Sequence, residues 1–238
     1  MGLIDRYTHL LPYSAISVGK QNMKYYKLYP WRWLISPFRP NSNKWKQNCI
    51  GYAIDNGAFV YGKKGISFDE KPFLEDVENF GEGADFIVIP DVLYNAKETL
   101  AIAEYWIERL LGYPLLIVAQ DGMVNEDLEV FTRRGIGVFI GGSTEFKLKS
   151  INWIADLCNK YNVLCHVGRV NSAKRIMLCL EAGAHSFDGS GPARFENTCR
   201  IMTKKLCDLE NQLFHRGQDF EKIKNKYIKN TYASNYLI

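Results

Sequence analysis

The sequence predicts an α/β protein of the (β/α)8, or TIM-barrel, class, and three observations lead there. Short aliphatic runs alternate with longer amphipathic ones, the pattern of parallel strands joined by right-handed helical crossovers. Eight candidate strands can be counted in 238 residues, near the length of a minimal barrel. Polar residues recur where the runs end, at Asp55, Asp91, Gln120, Gly141-Gly142, His166 and Asp188. A barrel gathers such strand ends at one mouth, whereas an open sheet spreads them along an edge.

The first two strands are expected at Ala15–Val18 and Trp33–Ser36, both weak. Six clearer ones follow at Ile50–Asp55, Phe86–Asp91, Leu115–Gln120, Gly137–Gly142, Val163–Gly168 and Ala184–Asp188. Between them, Asn95-Ala-Lys-Glu98 reads as a capping box ahead of Leu100, Ala103, Ile107 and Leu110 at helical spacing. Glu126–Arg134 ends at Gly135, Phe146–Tyr161 forms the next helix, and Ser172–Glu181 closes on Gly183. A last helix is expected from about Arg194 to Phe214, with Cys199, Met202, Leu206, Leu209 and Leu213 on one stripe. With no repeat or linker, residues 1–238 read as one compact domain, in which 1–49 form a basic, aromatic N-terminal segment and 215–238 a tail.

Composition narrows the class. The chain is 47% hydrophobic and 24% charged with a net charge of +4, which excludes wholesale disorder and fibrous repeats. Its apolar runs are too short to span a bilayer, and the N-terminus lacks the order of a signal peptide, so a soluble cytoplasmic protein without a membrane partner is expected. The six cysteines form no CxxC pair, so free thiols are expected and no metal site. Residues 1–49 hold eight basic residues against one acid, interleaved with nine aromatics. That mixture suits either a phosphate backbone with stacked bases or an aromatic core plug with a solvated lysine rim.

The strand ends carry the chemistry. Asp55 precedes a Gly turn with Phe59 four residues on, and Asp91 ends a wholly apolar strand, where an acid must cap a turn or face the mouth. Gln120 offers a donor and an acceptor, suited to a nucleobase edge. Gly141-Gly142-Ser143-Thr144 opens a helix and could present N–H groups to an anion. Asp188 ends the last strand on a Gly-rich loop, with Arg194 just beyond, where a cation favours a ligand phosphate over the helix start. Two carboxylates in one concave site point to glycosyl chemistry, in which one attacks or stabilises an anomeric carbon and the other moves protons. On the residues alone, a base or sugar transferase or hydrolase is as far as the reading goes.

In order, Asp-Asn-Gly-Ala-Phe, Pro-Asp-Val, Gln before Gly, Gly-Gly, His-Val-Gly-Arg, and Phe-Asp with Pro-x-Arg resemble the guanine transglycosylases, over roughly residues 50–195. Those are barrel enzymes that swap a guanine in nucleic acid for a 7-deazaguanine. The resemblance implies that Asp188 is the nucleophile at C1′ and Asp55 the general acid/base. It implies that Phe59 stacks on the base opposite Cys165, with His166 beside it, that Asp91 and Gln120 read the purine edge, and that Gly141 and Gly142 contact the base. Arg194 and Arg169 would meet phosphates. No cofactor or metal is implied for base exchange. The zinc motif of the tRNA enzymes, CxCxxC with a later His, has no counterpart here, so a form without the zinc subdomain is expected, closer to the DNA-modifying branch often found in phages. The implied partners are DNA, with tRNA as the alternative, a 7-deazaguanine base, and a second copy of the chain or a partner subunit. The alternatives in function are a tRNA enzyme with a minimal C-terminus and a non-catalytic, nucleic-acid-binding barrel subunit.

Overall fold

The computed structural model describes residues 10–16, 19–39 and 50–214. The expected tail 215–238, Cys49, and the basic and aromatic residues among 1–9 and 40–49 lie outside them. Eight parallel strands close into a barrel in chain order, β1 Leu11–Ala15, β2 Arg32–Ile35, β3 Tyr52–Ile54, β4 Ile87–Val88, β5 Leu115–Ala119, β6 Gly137–Ile140, β7 Cys165–Val167 and β8 Ser186–Gly189, and β8 pairs back onto β1. The predicted fold class is therefore observed. The first strand lies four residues earlier than expected, because Tyr13 must point inward opposite Arg32 and Asp188 in register. The ring is thinnest between β3 and β4, which share the single register pair Ile54 and Ile87.

The helices are α1 Met23–Tyr26, α2 Ala58–Lys64, α3 Glu70–Phe80, α4 Ala96–Arg109, α5 Asn125–Thr132, α6 Thr144–Tyr161, α7 Ala173–Ala182, α8 Gly191–Arg194 and α9 Glu196–Phe214. Asn95 caps α4 by accepting from the Glu98 N–H, as its spacing predicts, and Ser143 and Ser172 cap α6 and α7 in the same way. The last helix differs from expectation. It begins at Glu196, and Arg194 belongs to the separate short helix α8 on the loop after β8.

Strand alternation sorts the side chains into two layers. Inside the barrel, Tyr13, Ala53, Phe86, Val88, Leu116, Val118 and Leu164 pack together with Leu34 and Phe139. Outside, Ile54, Ile87, Ile117, Val138, Cys165, Val167 and Phe187 meet the helices. The floor is polar and fully paired: Arg32 donates to both oxygens of Asp85 at 2.7 and 2.6 Å, and the Tyr13 hydroxyl adds a third bond at 3.0 Å. Gly51 leaves the room this needs, since a Cβ there would lie 1.9 Å from an Arg32 nitrogen.

Several of the N-terminal aromatics belong to the core, while Phe38 is exposed and lines the mouth. Tyr13, Tyr29, Trp31 and Trp33 are buried, Arg32 is spent on Asp85, and Arg39 pairs with Asp76. In the described part of residues 1–49 these four aromatics plug the core, while Lys20, Lys24 and Lys27 stay exposed.

Candidate active site at the barrel mouth

The mouth encloses a cavity of about 380 Å³ whose lining includes Asp55, Phe59, Asp91, Gln120, Gly141, Gly142, Arg169, Asp188 and Arg194. These nine sequence-predicted residues come together from six βα loops, above an apolar layer of Val88, Val118 and Phe139 that separates them from the polar floor. The size falls in the range of about 300–1,000 Å³ typical of small-molecule sites.

Asp55 and Asp188 face this one cavity from β3 and β8. Both are half-buried. Burial, then the charges of Asp188 and Asp91, raise the Asp55 carboxyl from 3.8 to about 7, against the pull of the Gly57 and Asn56 N–H groups. An acid held there can give and take a proton at neutral pH. Asp188 is fixed through one oxygen, Oδ1, which accepts from the Arg169 N–H at 3.2 Å and meets His166 Nε2 at 3.3 Å. Its other oxygen is left for the cavity.

Asp91 stands on a side-chain network. Asn56 donates to one oxygen at 2.8 Å and Gln120 to the other at 2.5 Å. Burial nevertheless lifts its carboxyl to about 6, with both donors working the opposite way. Gln120 also accepts from the Tyr94 N–H at 3.0 Å, so one face of its amide is committed to the protein. Asn56 donates as well to the Ile89 carbonyl at 2.7 Å and accepts from the Ala58 N–H at 2.7 Å, linking β3 to β4 and starting α2.

Arg169 holds φ +61°, an uncommon conformation for a side chain of this size. Its guanidinium lies 4.7 Å over the Phe59 ring and donates to the Gly142 carbonyl. Arg194 is exposed at the rim.

Three expectations are corrected. Cys165 and His166 are neighbours on β7, so they point to opposite faces, and neither lines the mouth. Cys165 is fully buried in the outer layer with Cys158 and cannot lie opposite Phe59. His166 is fully buried beneath the site, stacked on Phe139 at 4.8 Å and bonded to Ser186 at 2.8 Å. Burial lowers its pKa, and its role here is to orient Asp188. The anion site read at Gly141–Thr144 is already filled: Asp121 accepts from the Ser143 N–H at 2.7 Å and its hydroxyl at 2.5 Å. Gly142 still needs to be glycine, with φ +68° and Asp121 2.5 Å from where a Cβ would be.

The sequence reading missed Asn56, Asp121 and Lys147. Lys147 is the most informative, a buried lysine whose amine donates to the Gly168 carbonyl at 2.7 Å. Its signal was present: with Ile151, Ile154 and Cys158 it completes the buried stripe of α6, a lysine at a core position.

Among the described residues, no group of three or more His, Cys, Asp or Glu side chains could hold a metal ion, and no helix is long and apolar enough to cross a membrane. No protein-family model matches the chain, and no curated protein matches it. Among solved structures, an HpcH/HpaI aldolase from Desulfitobacterium hafniense DCB-2 is similar at 11% identity with a TM-score of 0.49, over 85% of this chain and 94% of that one. At that distance nothing about chemistry is carried across.

Proposed function

We propose that the protein is a base-exchange transglycosylase that replaces a guanine in DNA by a 7-deazaguanine. The observation that carries this reading is the pair Asp55 and Asp188 in one cavity, the first raised to about 7 and the second anchored through a single oxygen.

The target nucleotide leaves its stack and enters the mouth. The free oxygen of Asp188 attacks C1′, and the bond from C1′ to the guanine N9 breaks. The departing base keeps the electron pair and takes the Asp55 proton. The covalent sugar ester preserves the strand. The incoming 7-deazaguanine then gives its N9 proton to the Asp55 carboxylate as N9 attacks C1′, and Asp188 is released. No net proton, oxidant or energy source is consumed. Asp91, whose oxygens each keep a second lone pair, accepts from the N–H groups of the purine edge, with Gln120 and Asn56 holding it in place. Phe59 stacks on the ring, and Arg194 and Arg169 meet the flanking phosphates.

A purely binding subunit is less well supported. Three acids in one cavity, two of them with raised pKa values, weaken the fold, and a nucleic-acid surface gains nothing from them. The preference for DNA over tRNA rests on the resemblance alone. The test is incubation with labelled guanine and either duplex DNA or tRNA. Incorporation into DNA that is abolished by Asp188→Ala, with nucleic-acid binding kept, is expected. Incorporation into tRNA alone removes the DNA assignment, and unchanged turnover in Asp188→Ala removes the mechanism.

A further inference from the structure

The buried amine of Lys147 and the carboxylate of Asp188 touch opposite ends of the same peptide group. Lys147 Nζ donates at 2.7 Å to the carbonyl of Gly168, and the N–H of that peptide, which belongs to Arg169, donates at 3.2 Å to Asp188 Oδ1. A cation at the carbonyl end and an anion at the N–H end both align with the amide dipole, and each hydrogen bond strengthens the other. The following peptide is also held, since Arg175 donates to the Arg169 carbonyl at 3.1 Å. Arg169 holds a left-handed backbone, φ +61°, next to this peptide.

We propose that Lys147 is a positioning residue that acts on Asp188 through the Gly168–Arg169 peptide, holding the carboxylate aimed while its second oxygen is free for chemistry. The proposal rests on the reading of Asp188 as the nucleophile. Lys147 is only 8% exposed, so its charge is not a solvated one, and removing it leaves the Gly168 carbonyl without that donor. The groups facing the amine are Arg169 from the loop after β7, Arg175 and Cys179 from α7, Asp188 from β8, and His166 from β7. Burial first, then Arg169 and Arg175, bring the amine down to about 7, while Asp188 supports its charge. The relay is therefore switched within the neutral range, fully charged on the acid side and lost as pH rises.

The experiment has two independent readouts. The first is the backbone amide shift of Arg169, followed against pH by selective 15N-Arg labelling. An inflexion near 7 is expected in the wild type and in Asp55→Asn, which removes the other group titrating there, and none in Lys147→Met. Lys147→Arg keeps a donor that stays charged, so it is expected to lose the inflexion too. The second is base exchange. Lys147→Met is expected to lower kcat by about tenfold to a hundredfold with KM little changed, the size of a lost hydrogen bond to a charged group. Lys147→Arg is expected to recover part of that loss and flatten the alkaline limb of the pH profile. An Arg169 amide that titrates identically in wild type and Lys147→Met overturns the relay, as does a folded Lys147→Met with wild-type kcat. A wild type that exchanges no base into DNA or tRNA, with the amide inflexion intact, overturns the reaction and leaves the relay standing.

Discussion

Replacing Asp55 by Asn measures what the assembly of acids costs the fold. The Asp55 carboxyl is raised from 3.8 to about 7, by burial first and then by Asp188 and Asp91. A carboxyl raised in the folded state weighs against folding as pH rises. Below about 4 both states hold the proton and there is no penalty; between about 4 and about 7 the unfolded chain ionises and the folded one does not; above about 7 the penalty is complete. A displacement of this size corresponds to a ceiling of about 4 kcal/mol, of which about 2–3 kcal/mol accrues between about pH 5 and about pH 8. Asp55 is half-buried, so screening at the mouth makes these upper values. For a chain of this size, that is a change of roughly 5–10 °C in Tm. Asn keeps the shape and does not ionise. Thermal unfolding followed by circular dichroism should therefore show the Tm of Asp55→Asn gaining on the wild type by that amount as pH rises. A difference between the two proteins that stays constant across the range refutes the assignment of the raised pKa to burial and to its acidic neighbours.

Three further outcomes are expected. Arg32→Met strips the partner from a buried Asp85 and should cost about 3–5 kcal/mol by urea denaturation; a loss well below about 1 kcal/mol would mean the floor pair is not as desolvated as it stands here. Gly142→Ala forces φ +68° on a residue with a Cβ and presses on Asp121, so a loss of about 1–3 kcal/mol together with a raised KM for the incoming base is expected, and wild-type values of both would remove the glycine's role. Arg194→Ala should reduce the slope of log affinity for DNA against log salt by about one, in a titration by fluorescence anisotropy; an unchanged slope takes Arg194 out of the phosphate contacts.

The barrel was legible because its signals are local. Runs such as Leu115–Ala119 and Gly137–Ile140 are short, apolar and bounded by turns, and their strands lie within the predicted bounds. The ends of those runs named Asp55, Asp91, Gln120, Gly141, Gly142 and Asp188 at the mouth for the same reason, while Phe59, Arg169 and Arg194 lie beyond the strand ends. The errors are non-local or concern parity. β1 is placed by the register of Tyr13 with Arg32 on β2 and Asp188 on β8 and by its bond to Asp85 ahead of β4, partners that no window along the chain contains. Helix α3 has no counterpart among the expected elements, although Asp69 caps it and Phe73 and Val77 are buried at helical spacing. Cys165 was assigned to the mouth with its neighbour His166, an arrangement that the pleat forbids. Lys147 lies within the expected helix Phe146–Tyr161, and its burial follows from Ser150 and Ile151, three and four residues along its stripe, which are core. Asp121 could not be read as the partner of Ser143, since the match is made only when β5 and β6 pair.

The join between β3 and β4 has a consequence for how the protein ages and inactivates. Above the lone pair of Ile54 and Ile87, the amide of Asn56 is what stitches the two strands, by reaching Ile89 and Asp91. Breathing of the ring is expected to start along that short seam, parting Asp55 and Asp91 while the other staves keep their ladders. Deuterium should enter the amides of Tyr52–Ile54 and Ile87–Val88 ahead of those of β5 and β6. On warming, the protein should lose its aligned acids some degrees before it loses its barrel.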